Sequence, residues 1–273
     1  MKVNNATAQA VSIREVMNAL ERFAPLPLQE GFDNAGLQVG LTEAEVSGAL
    51  LCLDVTEAVI DEAAALGCNL VVSHHPLLFH GLKRIAGLTT VERTVMKAIQ
   101  MGITVVSMHT NMDNATGGVN TKIAQKMGLE NLHFFGEEKI ADCVSGGNGI
   151  VGEWAEGLSA DDFMLLLKRT FDVDCIQANE LLKRPIRRVA VCGGAGAFLL
   201  DEAIAAHADA FVTGEMHYHD FFGHEQEIQI AVIGHYQSEQ FTNEIFRDII
   251  EKECPGVKCF LTKTNTNPIT YII

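Results

Sequence analysis

The sequence predicts an α/β protein with helices packed on largely parallel sheets. Three observations carry that expectation. Short apolar runs of strand length alternate with stretches of helical period over most of the 273 residues. Capping residues such as Ser12, Thr56 and Ser159 stand in front of helical stretches. Glycines such as Gly67 and Gly102 close them.

The elements follow in order. Ser12-Ile13-Arg14-Glu15 reads as a capping box, and Ile13, Val16, Met17, Leu20 and Phe23 then recur at helical spacing. GALLCLDV (48–55) reads as a buried strand, and Thr56 caps a helix that stops near Gly67. Residues 69–73 form the next strand, and a helix over about 90–101 leads past Gly102 into the strand ITVVSM. The stretch FFGEEKIADCVSGGNG (134–149) is rich in glycine and charge and has little period, so it reads as a domain boundary or a long loop. Ser159 caps the helix ADDFMLLLKRTF. RRVAVC is a strand, followed by Gly193-Gly194-Ala195-Gly196 and a helix to about His207. DAFVTG and IAVIG are short strands, a helix starts near Tyr236, and VKCFLT closes as a strand.

Composition bounds the function. With 48% hydrophobic and 20% charged residues the chain has the profile of a globular protein. It contains no run of about 18 apolar residues, so no membrane span is expected. MKVNNATAQA lacks the apolar stretch of a secretory signal. The seven cysteines form no CxxC pair and read as reduced, mostly buried thiols of a cytoplasmic protein. A formal net charge of −15 argues against nonspecific nucleic-acid binding. A phosphate-bearing small molecule is compatible with it, since a metal or a helix N-terminus holds phosphate locally.

The chemistry concentrates at strand ends. His74 and His75 close an apolar run and precede Pro76. On a regular strand adjacent side chains point apart. Proline ends the strand, so the two rings can converge. ITVVSM runs into His109-Thr110-Asn111-Met112-Asp113, and IAVIG runs into His235-Tyr236-Gln237-Ser238-Glu239. His235 and Glu239 lie four apart at a helix start, on one face. DAFVTG is followed by Glu215-Met216-His217-Tyr218-His219-Asp220. Ligands collect outside the carboxyl ends of parallel strands. Three histidines and two carboxylates suit zinc, iron, manganese or nickel, and a pair of ions would use all five. Taken singly, Asp113 could shape a loop and Glu239 could favour a helix N-terminus. His80, His133, His207 and His224 read as ordinary hydrogen-bonded histidines. Gly193-Gly194-Ala195-Gly196 lacks the spacing of nucleotide-binding loops and reads first as a tight strand-to-helix turn.

FDNAGLQVG (32–40), VVSHHPLLF (71–79), HTNMDNATGGVN (109–120), VAVCGGAG (189–196), TGEMHYHD (213–220), GHYQSE (234–239) and NTNPITY (265–271) together resemble the Nif-three-like dinuclear-metal family, also labelled GTP cyclohydrolase I type 2 homologue. The resemblance implies two intertwined α/β lobes, one of 1–130 plus 232–273 with most of the ligands and one of 131–231, in a short form without an inserted domain. It implies two divalent ions on His74, His75, Asp113, His235 and Glu239, and a ring-shaped homohexamer. Where relatives carry two adjacent histidines after the Gly-Glu, this chain has Tyr218-His219, with His217 one place early. That departure touches substrate contacts more than the ligands.

The function expected is a metal-dependent hydrolase acting on a nucleotide-like or phosphorylated small molecule. His109 or His219 would carry a proton. Lys83 would meet a substrate phosphate or is a solvated surface lysine. The alternative is a non-catalytic metal-binding scaffold or metal-handling protein.

Overall fold

The computed structural model describes residues 10–272. In chain order the elements are α1 (Ile13–Phe23), β1 (Gly36–Val39), β2 (Ala49–Cys52), α2 (Glu57–Ala65), β3 (Leu70–Ser73), α3 (Thr90–Gln100), β4 (Thr104–Ser107), α4 (Thr110–Asn114), α5 (Val119–Lys126), β5 (Glu130–Ala141) and β6 (Val144–Leu158). They continue with α6 (Ala160–Phe171), β7 (Gln177–Ala178), β8 (Ile186–Cys192), α7 (Leu200–Ala205), β9 (Ala210–Thr213), β10 (Gln229–Val232), α8 (His235–Glu239), α9 (Thr242–Glu253) and β11 (Cys259–Leu261). No helix among the described residues is long and apolar enough to cross a membrane.

The chain folds into two compact units, each built from separated segments. The first holds residues up to Leu26, Gly31–His109 and Asn243–Thr266. The second holds Pro27–Glu30, Thr110–Thr242 and the tail from Asn267. The crossings at 109 and 242 differ from the expected boundaries at 130 and 232. The reason is packing: α4 and α5 lie against β6 and so belong to the second unit.

The first unit is a five-stranded sheet in the order β1-β4-β3-β2-β11. The inner pairings are parallel, and β1 adds antiparallel at the edge. Parallel strands covered by helices must be apolar on both faces, and β2, β3 and β4 are buried at every position. Leu50, Val71 and Val105 from the strands pack with Val59, Ile60, Val95 and Ala98 of α2 and α3. Burial of such a side chain stabilises by about 1.5–3 kcal/mol. The Ser12 capping box forms as its sequence predicts, with Ser12 accepting from Glu15 N and Glu15 returning to Ser12 N. Thr56 caps α2 by accepting from Val59 N, and Thr89 caps α3 by accepting from Glu92 N. Strand β1 was not legible in the sequence. Its end comes so close to β4 that a Cβ at Gly40 would stand 2.8 Å from Thr104 Cα.

The second unit is a six-stranded sheet in the order β5-β6-β8-β9-β10-β7. Its middle, β8-β9-β10, is parallel, and its flanks are antiparallel. Phe135, Val151, Ala190, Phe211 and Ile230 share a core with Leu199, Leu200 and Ala203. The segment 134–149, expected as a boundary or loop, is most of a long β-hairpin. Asp142 and Cys143 turn it with φ of 48° and 66°, the left-handed pair that matches strand twist in a two-residue hairpin. The glycines of β6 are needed because aromatic rings cross them. A Cβ at Gly147 would meet Phe134 Cβ at 2.8 Å, and one at Gly149 would overlap the Phe135 ring. A strand that packs through missing side chains shows no alternation, so it reads as a loop.

Candidate metal centre

In the first unit the site begins where β3 ends. Ser73 closes the strand, and Pro76 has no N–H to extend the ladder. The turn between them is clamped. Ser73 Oγ and Ser107 Oγ lie 2.7 Å apart, and both reach the His75 carbonyl, at 3.0 and 3.3 Å. The turn brings the adjacent His74 and His75 rings to 4.9 Å, and His109 beyond β4 lies 5.2 and 5.4 Å from them. One nitrogen from each of the three lies within 4.8 Å of the other two. His74 is buried and its Nδ1 donates to the Met108 carbonyl at 2.9 Å. His75 Nδ1 donates to Asp54 at 2.7 Å, and Thr266 donates to the same carboxylate at 2.7 Å. His109 Nδ1 donates to Asp33 at 2.7 Å. Since carbonyl and carboxylate oxygens only accept, each neutral ring keeps its proton on Nδ1 and its lone pair on Nε2.

In the second unit α8 presents His235 and Glu239 from one face. His235 Nε2 lies 3.1 Å from Glu239 Oε2, and His235 Nδ1 donates to Glu215 at 2.8 Å. Glu239 is buried. An oxygen of Asp113, on α4, lies within 4.8 Å of an oxygen of Glu239. Two carboxylates so close repel, and a divalent cation removes that repulsion. Burial raises the Cys192 thiol well above its usual pKa, and the charges of Asp113, Glu239 and Glu30 add to the rise. Cys192 is therefore a neutral wall group.

The Gly193-Gly194 turn is built around Glu239. Gly194 has φ +61°, and a Cβ there would overlap Glu239 Oε1. Its N–H donates to Ser238 Oγ at 3.0 Å, Gly193 N–H donates to Asn120 Oδ1 at 2.8 Å, and Gly196 N–H donates to Thr213 Oγ1 at 3.0 Å. These amides hold side chains, so the loop works as a tight turn rather than a phosphate cradle.

The donor set suits first-row divalent ions: neutral imidazoles offering Nε2, with acidic oxygens beside them. Metal-ligating histidines characteristically give their other N–H to an oxygen, and His74, His75, His109 and His235 all do. The orienting groups Asp54 and Asp33 were not singled out from the sequence, and Glu215 was noted only within the strand-end stretch after DAFVTG. Their signal was their position, since Asp54 and Glu215 also follow strand ends. Among the other expected site residues, Lys83 is exposed on the loop after β3. His219 is exposed, its ring 5.2 Å from Tyr218 and 6.1 Å from Phe222.

Residues 11–268 match the profile of the Duf34/NIF3 (NGG1p interacting factor 3) family. A protein of Clostridium acetobutylicum named GTP cyclohydrolase 1 type 2 homolog is 32% identical, over 84% of this chain and 86% of that protein. A protein of Lactococcus lactis with the same name is 31% identical, over 94% of this chain and 98% of that one. The crystal structure of a Staphylococcus aureus hypothetical protein superposes with a TM-score of 0.87 at 26% identity, covering 97% of this chain and 100% of that one.

Proposed function

The chain belongs to the Duf34/NIF3 family, and from that premise we propose that it is a metal-dependent hydrolase of a nucleotide-like or phosphorylated small molecule. His74, His75, Asp113, His235 and Glu239 hold two divalent cations. The observation that carries this reading is the shared arrangement of the imidazoles, each with Nδ1 fixed on an oxygen as metal-ligating histidines characteristically have it.

When bound, such ions polarise an acceptor and lower the pKa of a water toward neutrality. The chain's own residues do the rest. Met108, Asp54 and Glu215 fix the tautomers of His74, His75 and His235. Glu239 lies beside both Asp113 and His235 and would offer its carboxylate to the ions. His109, held by Asp33, keeps a proton on Nδ1 and takes or gives one at Nε2; His219 is the second candidate for that task, and Lys83 for a substrate phosphate. The names of the two bacterial relatives support a purine nucleotide as the first substrate to try. The family resemblance adds a homohexamer to the proposal, and the reduced cysteines add a cytoplasmic location.

The test is turnover by protein loaded with manganese, iron or zinc, screened on nucleotides and phosphate esters. His109→Asn is expected to keep its metal and assembly and lose turnover, while Glu239→Gln loses both metal and turnover. If no substrate turns over and ligand variants dissociate the assembly, the ions are structural and the scaffold alternative replaces the hydrolase.

A further inference from the structure

The second unit carries an open cavity of about 660 Å³ at the carboxyl ends of β9 and β10. That volume lies within the range of small-molecule sites. Its walls divide by chemistry. Phe198, Met216 and Tyr271 offer aromatic and thioether surface, and Glu215, Asp220 and His235 offer polar atoms. Phe198 is 63% exposed although it is a large apolar ring. Tyr271 comes in from the tail and approaches Gly234: at φ +95°, a Cβ placed there would overlap Gln237 Oε1 and stand 3.1 Å from Tyr271 Oη.

The carboxylates are held in place. Glu215 Oε1 accepts from His235 Nδ1 at 2.8 Å, and Asp220 Oδ2 accepts from His217 N at 2.9 Å. Each keeps a second oxygen as an acceptor. Among the described residues lining the cavity there is no lysine or arginine. A free phosphate would therefore meet negative charge here. A flat ring with N–H groups would meet aromatic surface and acceptors.

We infer that this cavity binds a planar organic molecule bearing N–H donors, of the amidine or amino-heterocycle class, with its ring against Phe198, Met216 and Tyr271 and its N–H groups on Glu215 and Asp220. The inference rests on the hydrolase reading only in making that molecule part of the substrate; the binding stands apart from it. His235 lies on the same wall, so the bound ring sits beside a candidate metal ligand. The cavity thus takes the nitrogenous part of a substrate, and any phosphate is held elsewhere.

Benzamidine and benzoate test this, because they share a shape and carry opposite charge. Both are titrated by calorimetry into the full-length protein as purified, with metal content measured on the same samples. Benzamidine is expected to bind at least about tenfold more tightly than benzoate, the effect of charge-assisted hydrogen bonds. Asp220→Asn and Phe198→Ala are each expected to weaken it about fivefold or more with metal content unchanged. Equal binding of benzoate, or parental benzamidine binding in both variants, overturns the inference. Glu239→Gln protein that has lost its metal and still binds benzamidine would uphold the cavity while removing its link to the ions.

Discussion

The two units offer metal-type donors by different means. In the first, three imidazoles stand at the ends of regular parallel strands, and each is steered by one oxygen: Met108, Asp54 or Asp33. In the second, Glu239 and His235 ride on a five-residue helix, and the Glu239 carboxylate packs where Gly194 has no side chain. The first set depends on hydrogen-bond partners alone, and the second depends on space as well as on the Glu215 carboxylate that holds His235. Damage to the first should change ligand affinity and spare the fold. Damage to the second should cost both.

Gly194→Ala should have the largest effect. It places a Cβ against Glu239 at φ +61°, and left-handed strain with overpacking costs about 3 kcal/mol together. Denaturant unfolding should show that loss, and metal content should fall with it. A variant that keeps both would erase the contrast between the units. Asp54→Asn comes next. It should lower metal affinity about 10- to 100-fold, read by competition with a chelator, with little change in the unfolding midpoint.

The contrast also explains what was legible in the sequence. Strands β2, β3 and β4 are continuous apolar runs, their helices begin at Thr56 and Thr89, and the strand ends could be counted. His74, His75 and His109 were therefore visible as strand-end groups, the first two as expected metal ligands and His109 as an expected proton carrier. Adjacent histidines before Pro76 signalled that the strand stops there. In the second unit the informative features were absences. Gly147 and Gly149 make room for Phe134 and Phe135, and Gly194 makes room for Glu239. A glycine tells the reader that space is needed without telling what fills it. The hairpin accordingly looked like a loop. The orienting carboxylates Asp54 and Asp33 were hidden for another reason: their partners lie 21 and 76 residues away in the chain.

Smaller effects sharpen the comparison. Ser12→Ala removes the capping box of α1 and should cost about 1 kcal/mol in thermal or chemical unfolding, with no change in metal content. Acid should act on the second unit through Asp209. Burial raises that carboxyl, but the N–H groups of Arg188 and Arg187 and the Arg184 guanidinium outweigh it and hold the group below its ordinary value. A carboxyl depressed in the folded state contributes stability that is present above its unfolded pKa and is lost as pH falls through the folded one. Asp209→Asn should therefore flatten the acid limb of the stability profile and leave neutral-pH metal binding alone.

The central claim is that both ligand sets serve the same ions. Anomalous X-ray diffraction at the absorption edge of the bound metal tests it most directly. The account predicts two neighbouring peaks, with His74 and His75 from the first unit and Asp113, His235 and Glu239 from the second all in ligating distance of the pair. Peaks ligated from one unit alone, or protein that retains no metal at neutral pH, would contradict it.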